Sequence, residues 1–266
     1  MPLKPIDKIA LKIERAYKHI RELQVALSTF YKENRDFLRR EIDPESGDHI
    51  FKIVSVPEVP EMISVIAGDV LQNLRSALDH MTYRIVVVSP LTTSKKDIFF
   101  PFGESLNDYM ASERRRKVEQ ASSDAIKRID ALKPYKGGND RLWQLARLNN
   151  VDKHRLLLTT AMRFKDRTTT KFDYWRMRAT IGKGGDPGGI LQLVTRTNFG
   201  GPVEPLKVGD IVHVKPGVVK LKGEMKFAFD VAIDEPKIIE CRSLFETLYE
   251  MHQLVKGIIP RFADLL

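Results

Sequence analysis

From Gly68 to Val88 the chain separates its apolar and polar positions at helical spacing. At about 100° per residue, Val70, Leu74, Ala77, Leu78, Met81 and Ile85 fall on one side, and Asp69, Asn73, Ser76, His80 and Tyr83 form a continuous polar stripe on the other. Pro57 and Pro60 lead into this helix and Ser89-Pro90 ends it. Such a stripe either faces water or supports a buried polar site. An earlier run, Asp7 to about Arg40, places Ile9, Ile13, Ala16, Tyr17, Ile20, Leu23, Leu27, Phe30 and Tyr31 at the same period and predicts one long amphipathic helix. Asp43-Pro44-Glu45-Ser46-Gly47 stops it, and His49 to Val56 alternates as a short strand.

Ile98-Phe99-Phe100-Pro101-Phe102 is aromatic and broken by proline, so it reads as an extended segment lying over the helices, a lid or a core plug. Two shorter helical patterns follow between Ser105 and Leu132, with Ser105 or Asn107 as cap. Asn139 caps a helix from Asp140 to about His154 that carries Trp143. After Arg155 the texture changes. Leu156 to Phe164, Lys171 to Ile181, Ile190 to Asn198, Asp210 to Val214 and Met225 to Ile233 are rich in Val, Ile, Thr and aromatics, which predicts an antiparallel meander. The glycine cluster Gly182 to Gly189 lacks the Gly-Lys-Ser/Thr ending of a phosphate loop and reads as a hairpin loop. Pro236 precedes a last helix, Lys237 to about Ile259.

These elements predict an α+β fold in which a bundle of long helices has an antiparallel sheet inserted before the C-terminal helix. The expected division is a helical domain over 1–155, a β-meander over 156–235, and a C-terminal helix over 236–266 that packs back on the first bundle.

Composition changes this picture little. Hydrophobic residues make up 42% of 266, enough for one large core or two smaller ones. Net charge is +9, partly clustered in Arg114-Arg115-Arg116-Lys117, Lys95-Lys96 and Lys153-His154-Arg155. Such clusters are either a solvated basic face or an attraction for RNA or another phosphate-bearing ligand. The single cysteine, Cys241, excludes an internal disulfide and Cys-x-x-Cys metal sites, and reads as a small core residue. The N-terminal stretch is charged throughout, unlike a secretory signal, and no window has the roughly 18 apolar residues that span a bilayer. A soluble, cytoplasmic protein without a membrane partner is expected. The long amphipathic helices also allow a homodimer, although no heptad seam marks one.

Three places are too polar for their expected burial. The first is the stripe with its flanking Arg75 and Asp79. The second is Asn149-Asn150-Val151-Asp152-Lys153-His154-Arg155, where Asn149, Asp152 and Lys153 share a helix side with Leu142, Leu145 and Ala146. The third is His19 beside Ala16 and Leu23, read as a surface contact. The first two would meet as a buried polar seam. His80 then either donates to a buried carboxylate such as Asp152 or takes part in catalysis. Asp79, His80, Asp152 and His154 are of metal-ligand type, but Asp79 and His80 are adjacent and face different ways, and no His-Glu-x-x-His is present. No cofactor or metal is expected.

The segment Gly68-Asp69-x-x-x-Asn73-Leu74-Arg75-Ser76-Ala77-Leu78-Asp79-His80, together with Phe100-Pro101-Phe102, Pro134-Tyr135, Leu142-Trp143 and Asn149 to Arg155, resembles a widespread group of bacterial proteins, over roughly Asp7 to Arg155. That likeness implies no particular activity. The chain also resembles the HEPN helical domains of bacterial toxins and defence proteins, whose motif is an Arg followed a few residues later by a His. Arg75 and His80, with four residues between them, satisfy it. The resemblance implies metal-independent RNA cleavage, with His80 as general acid or base and Arg75 stabilising the pentacoordinate phosphate. Asn73, Ser76, Asp152, Lys153, His154 and Arg155 would then contact substrate. Residues five apart on a straight helix differ by about 140° in azimuth, so Arg75 and His80 do not converge on one atom without a distortion or a partner chain. The alternative is a non-enzymatic binding or scaffold module whose seam is structural.

Overall fold

The computed structural model describes residues 4–34, 36–45, 47, 49–155, 158, 160–164, 193–195, 205–209, 211–214, 229–235 and 237–266. Its longest helix, α1 (Pro5–Glu33), starts with Pro at its first position, where the missing N–H costs nothing, and the Lys4 backbone N–H donates to Asp7 Oδ2 at 3.2 Å. Ile9, Ile13, Ala16, Ile20, Leu23, Leu27 and Phe30 are buried as one stripe. The helix stops well short of Arg40. Asn34 leaves the helical conformation at φ −117° and ψ 65°, and both its backbone N–H, at 3.1 Å, and its Nδ2, at 2.9 Å, donate to the Phe30 carbonyl. Phe37, seven residues after Phe30, mimics a helical continuation in sequence but is buried beside the hairpin of β1 (Leu38–Ile42) and β2 (His49–Ile53). Gly47, at φ +71°, closes the hairpin turn.

The central element is α2 (Glu61–Val87). Its buried set goes beyond the expected stripe to Ile63, Ile66, Ala67, Gly68, Leu71, Arg75, Thr82 and Val86, because α1, α6 (Asp140–Arg155) and α7 (Leu244–Ile258) all pack on it. Each fully buried Leu or Ile here contributes roughly 1.5–3 kcal/mol. Residues 98–102 form the expected extended strap: Ile98 and Phe100 are buried, Phe99 is exposed, and the Phe100 and Phe102 rings lie 5.0 Å apart.

Three short helices follow where two were expected: α3 (Leu106–Ala111), α4 (Glu113–Val118) and α5 (Ser123–Ala131), capped by Ser105, Ser112 and Ser122. Within the basic run, Arg115 is buried and forks onto Asp130 at 2.8 and 2.7 Å, while the Tyr109 hydroxyl donates to the same carboxylate at 2.6 Å. Burial and Asp130 push the Tyr109 hydroxyl well above its usual range. Arg114 lies over the Phe99 ring and Lys117 pairs with Asp97 and Glu113. This run therefore packs the strap region as much as it faces solvent.

The fold is α+β. An antiparallel sheet of order β3-β6-β7, made of β3 (Thr160–Phe164), β6 (Phe229–Glu235) and β7 (Ile239–Ser243), precedes α7. The β-rich part is not one meander. β5 (Ile211–Val214) and β4 (Leu193–Thr195) join the N-terminal hairpin in a second antiparallel sheet, β1-β2-β5-β4. The strand expected at 171–181 and the glycine loop at 182–189 lie outside the described residues. The last helix also starts later than Lys237. Ile239, Cys241 and Ser243 are buried while Glu240 and Arg242 are exposed, a strand alternation. Ser243 Oγ accepts from the Glu246 N–H at 3.3 Å, so Ser243-x-x-Glu246 is the N-terminal signature of α7. A 3-10 stretch, Ile259–Leu265, continues the chain, and Arg128 ties it to α5 through Asp264 at 2.7 and 2.9 Å.

Candidate functional site

Arg75 is only 6% exposed, on the side of α2 that meets the strap. Its Nε donates to Asp79 Oδ2 at 3.1 Å, its Nη2 donates to the Phe100 carbonyl at 3.1 Å, and its guanidinium carbon lies 4.3 Å from the centre of the Phe102 ring. Asp79 Oδ1 in turn accepts from the Phe100 N–H at 2.9 Å. Arg75 and Asp79 thus grip both backbone groups of Phe100, which needs partners because a strap outside any sheet has no ladder to satisfy it. Burial lowers the pKa of Arg75 and the Asp79 carboxylate opposes that shift.

The polar stripe has a different environment. Asp69, His80 and Tyr83 are exposed, and Asn73 and Ser76 are half-buried. Asn73 Nδ2 donates to the Asp69 carbonyl at 2.8 Å, and Gln72 Nε2 to Ser76 Oγ at 3.4 Å. His80 therefore does not sit in a closed seam, and it forms no hydrogen bond to Asp152. The α2 helix is not broken between Arg75 and His80, so the two side chains leave it on different sides.

The seam between α2 and α6 exists one turn and more N-terminal of the expected place. Asp152, half-buried, seats its carboxylate against Gly68: a Cβ there would lie 2.3 Å from Asp152 Oδ1 and 2.6 Å from Oδ2. Only glycine leaves that carboxylate its room. Burial raises the Asp152 pKa, the neighbouring Asp69 raises it further, and Lys153 lowers it. His19 approaches the same end of α2 from α1. It is buried, not on the surface, with Nδ1 3.2 Å from Glu22 Oε2 and 4.0 Å from Asp69 Oδ2. Asn149, one turn before Asp152, is 2% exposed, and its Oδ1 has no hydrogen-bond partner among the described residues. Lys153 is exposed; the side chains of His154 and Arg155 lie outside the described residues.

The candidate residues thus divide into three groups. Arg75 belongs to the strap clamp. Asn73, Ser76 and His80 line an open face. Asp152 joins Asp69 at the Gly68 end, with His19 4.0 Å from the Asp69 carboxylate, and these carboxylates could accept a cationic group. Among the described residues no group of three or more His, Cys, Asp or Glu is arranged to hold a metal ion, and no helix is long and apolar enough to cross a membrane.

No family model, no curated protein and no solved structure matches the chain. The likeness to HEPN domains therefore rests on the Arg75 and His80 spacing alone.

Sequence reading passed over His252, which is buried on α7 with its ring 5.3 Å from that of Tyr17 and 6.5 Å from that of Tyr249. Burial lowers its pKa, as does Lys256. Its spacing from Leu248, Met251 and Val255 was the available signal. Arg163 was also passed over. It is buried, stands opposite Asp230 in the β3 and β6 register, and approaches that carboxylate at 3.4 Å, while the Tyr31 hydroxyl donates to Asp230 at 3.1 Å.

Proposed function

We propose that this chain is a binding module in which the stripe of α2 and the Asp152-Lys153 end of α6 form the recognition face, while Arg75 serves the fold. The observation that carries this reading is the commitment of the Arg75 guanidinium to Asp79, the Phe100 carbonyl and the Phe102 ring. A transition-state arginine must be free to meet the phosphate. Arg75 would have to leave the half-buried Asp79 carboxylate without its cation and the Phe100 carbonyl without its donor to do so, a loss on the order of 3 kcal/mol. The face itself is mixed in charge. Carboxylates of Asp69, Glu22 and Asp152 gather at its Gly68 end, where they would repel a nucleic-acid backbone, so a polar protein surface suits it better than RNA.

A second reading, metal-independent RNA cleavage centred on His80 but outside the Arg-then-His order of the HEPN motif, is favoured by one observation. Arg84, one turn beyond His80 and on its side of α2, has a buried Nε with no hydrogen-bond partner among the described residues. In that reading Arg84 replaces Arg75 beside the His80 general acid or base.

Incubating the purified chain with single-stranded RNA and EDTA separates the two. The binding module predicts no cleavage, with wild type and His80→Ala alike. Cleavage lost in both His80→Ala and Arg84→Ala would replace it with the second reading.

A further inference from the structure

We propose that the groove between α6, β7 and the start of α7 is a binding site for a small anion bearing phosphate or carboxylate groups. It lies apart from the α2 face and does not rest on the function proposed above.

The groove is an open cavity of about 820 Å³, within the range that small-molecule ligands occupy. Its wall carries five cationic side chains, Lys136, Arg141, Arg163, Lys237 and Arg242, against three glutamates. One glutamate, Glu250, is taken up by Arg141 at 2.5 Å. Arg163 pairs with Asp230, which leaves Lys136, Lys237 and Arg242 against Glu240 and Glu246, a small positive excess.

Two further features are aimed at an anion. Ser243 and Thr247 line the groove at the N-terminal turn of the 15-residue helix α7, where backbone N–H groups and the helix dipole favour negative charge. Arg163, 6% exposed, lines the same groove, and its Nε is buried with no hydrogen-bond partner among the described residues. Its other contact, to Asp230, is a long 3.4 Å. With one long ion pair and an Nε left unsatisfied, this guanidinium is incompletely neutralised and adds to the positive charge beside the groove. The β7 wall is also held in an uncommon shape: Lys237 and Cys241 have φ of +68° and +42°.

Glu240 and Glu246 keep the groove from being uniformly basic. They would accept hydrogen bonds from hydroxyl groups, which favours a hydroxylated organic anion over a bare polyanion.

Isothermal titration of the full chain with glucose 6-phosphate and, separately, citrate at matched ionic strength tests this. Saturable binding of either probe is expected, the probe that binds naming the group recognised. Arg242→Glu, a charge reversal at an exposed position, should weaken it at least about tenfold, whereas Arg116→Glu, exposed on α4, should change it less than about twofold. Lys237→Glu, exposed like Arg242, should behave as Arg242→Glu does. The proposal is overturned if neither probe binds below roughly 10 mM, or if Arg116→Glu weakens binding as much as Arg242→Glu, which would mark an unspecific response to net charge.

Discussion

Arg75 and His80 stand five residues apart on one unbroken helix, yet Arg75 is enclosed by the strap and shares its guanidinium with three partners while His80 lies open on a polar face. The contrast teaches that a motif written along a helix distributes its residues around it. Position 75 points to where the strap needs donors and position 80 to a side that none of the described residues covers. The charge on Arg75 is a packing device. The imidazole of His80 is free for a partner.

The comparison breaks most visibly at Arg75. Replacing it with Met keeps the volume but leaves Asp79 half-buried without its cation and the Phe100 carbonyl without its donor. The expected cost is about 3–5 kcal/mol, read as a fall in melting temperature on the order of 10 °C. Arg75→Lys should recover only part of it, since an ammonium cannot reach Asp79, the Phe100 carbonyl and the Phe102 ring with one planar fork. A melt within 2 °C of wild type, about 0.5–1 kcal/mol, would remove the strap clamp from the account.

The Gly68 end sharpens the comparison, because there the polar face does meet another helix. Gly68→Ala must push the Asp152 carboxylate outward, while alanine adds roughly 1 kcal/mol of helix propensity. Little net change in stability is expected, but Asp152, moved toward water, should titrate lower in a carbon-detected NMR titration. An unmoved Asp152 titration would mean that the close approach does not set its environment.

Asp152→Asn isolates the charge itself. The raised pKa means that the folded chain holds a proton where the unfolded chain has lost it. Asp152 therefore contributes favourably below the unfolded carboxylate pKa, and that contribution is lost as pH rises through the folded value. An uncharged Asn escapes this loss, so the variant should melt above wild type at pH near 7, the gap closing as pH falls toward the ordinary carboxylate range. A gap that widens on acidification would reverse the sign assigned to this carboxylate. Smallest of all is His80→Ala, which should leave stability within about 0.5 kcal/mol in equilibrium urea unfolding, as at other open surface positions.

Much of the fold was legible because long helices repeat their signal. The apolar period of α1 and α2, the Asn139 cap and the proline-broken strap each carry enough residues to be read locally. What was not legible depended on contacts distant in sequence. The backbone leaves the helical conformation at Asn34 although Phe37 keeps the apolar period, and the hairpin after it is stabilised by pairing β2 with β5, some 160 residues away. The start of α7 was carried by Ser243 and Glu246, but the apolar Ile238 and Ile239 before them extend a helical period equally well. At the site, sequence reading found Arg75, His80 and Asp152 as residues of interest and misjudged which of them are covered. Exposure of a helix side is decided by what packs there, and the strap lies over Arg75 because Asp79 and Arg75 satisfy Phe100.

A double-mutant cycle between Arg75 and His80 tests most directly whether these residues form a functional pair or belong to two separate sides of α2. Urea unfolding of Arg75→Met, His80→Ala and the double variant should give stability losses that add within about 0.5 kcal/mol, since the two side chains share no partner. A coupling energy above about 1 kcal/mol would contradict the separation and restore Arg75 and His80 as one site.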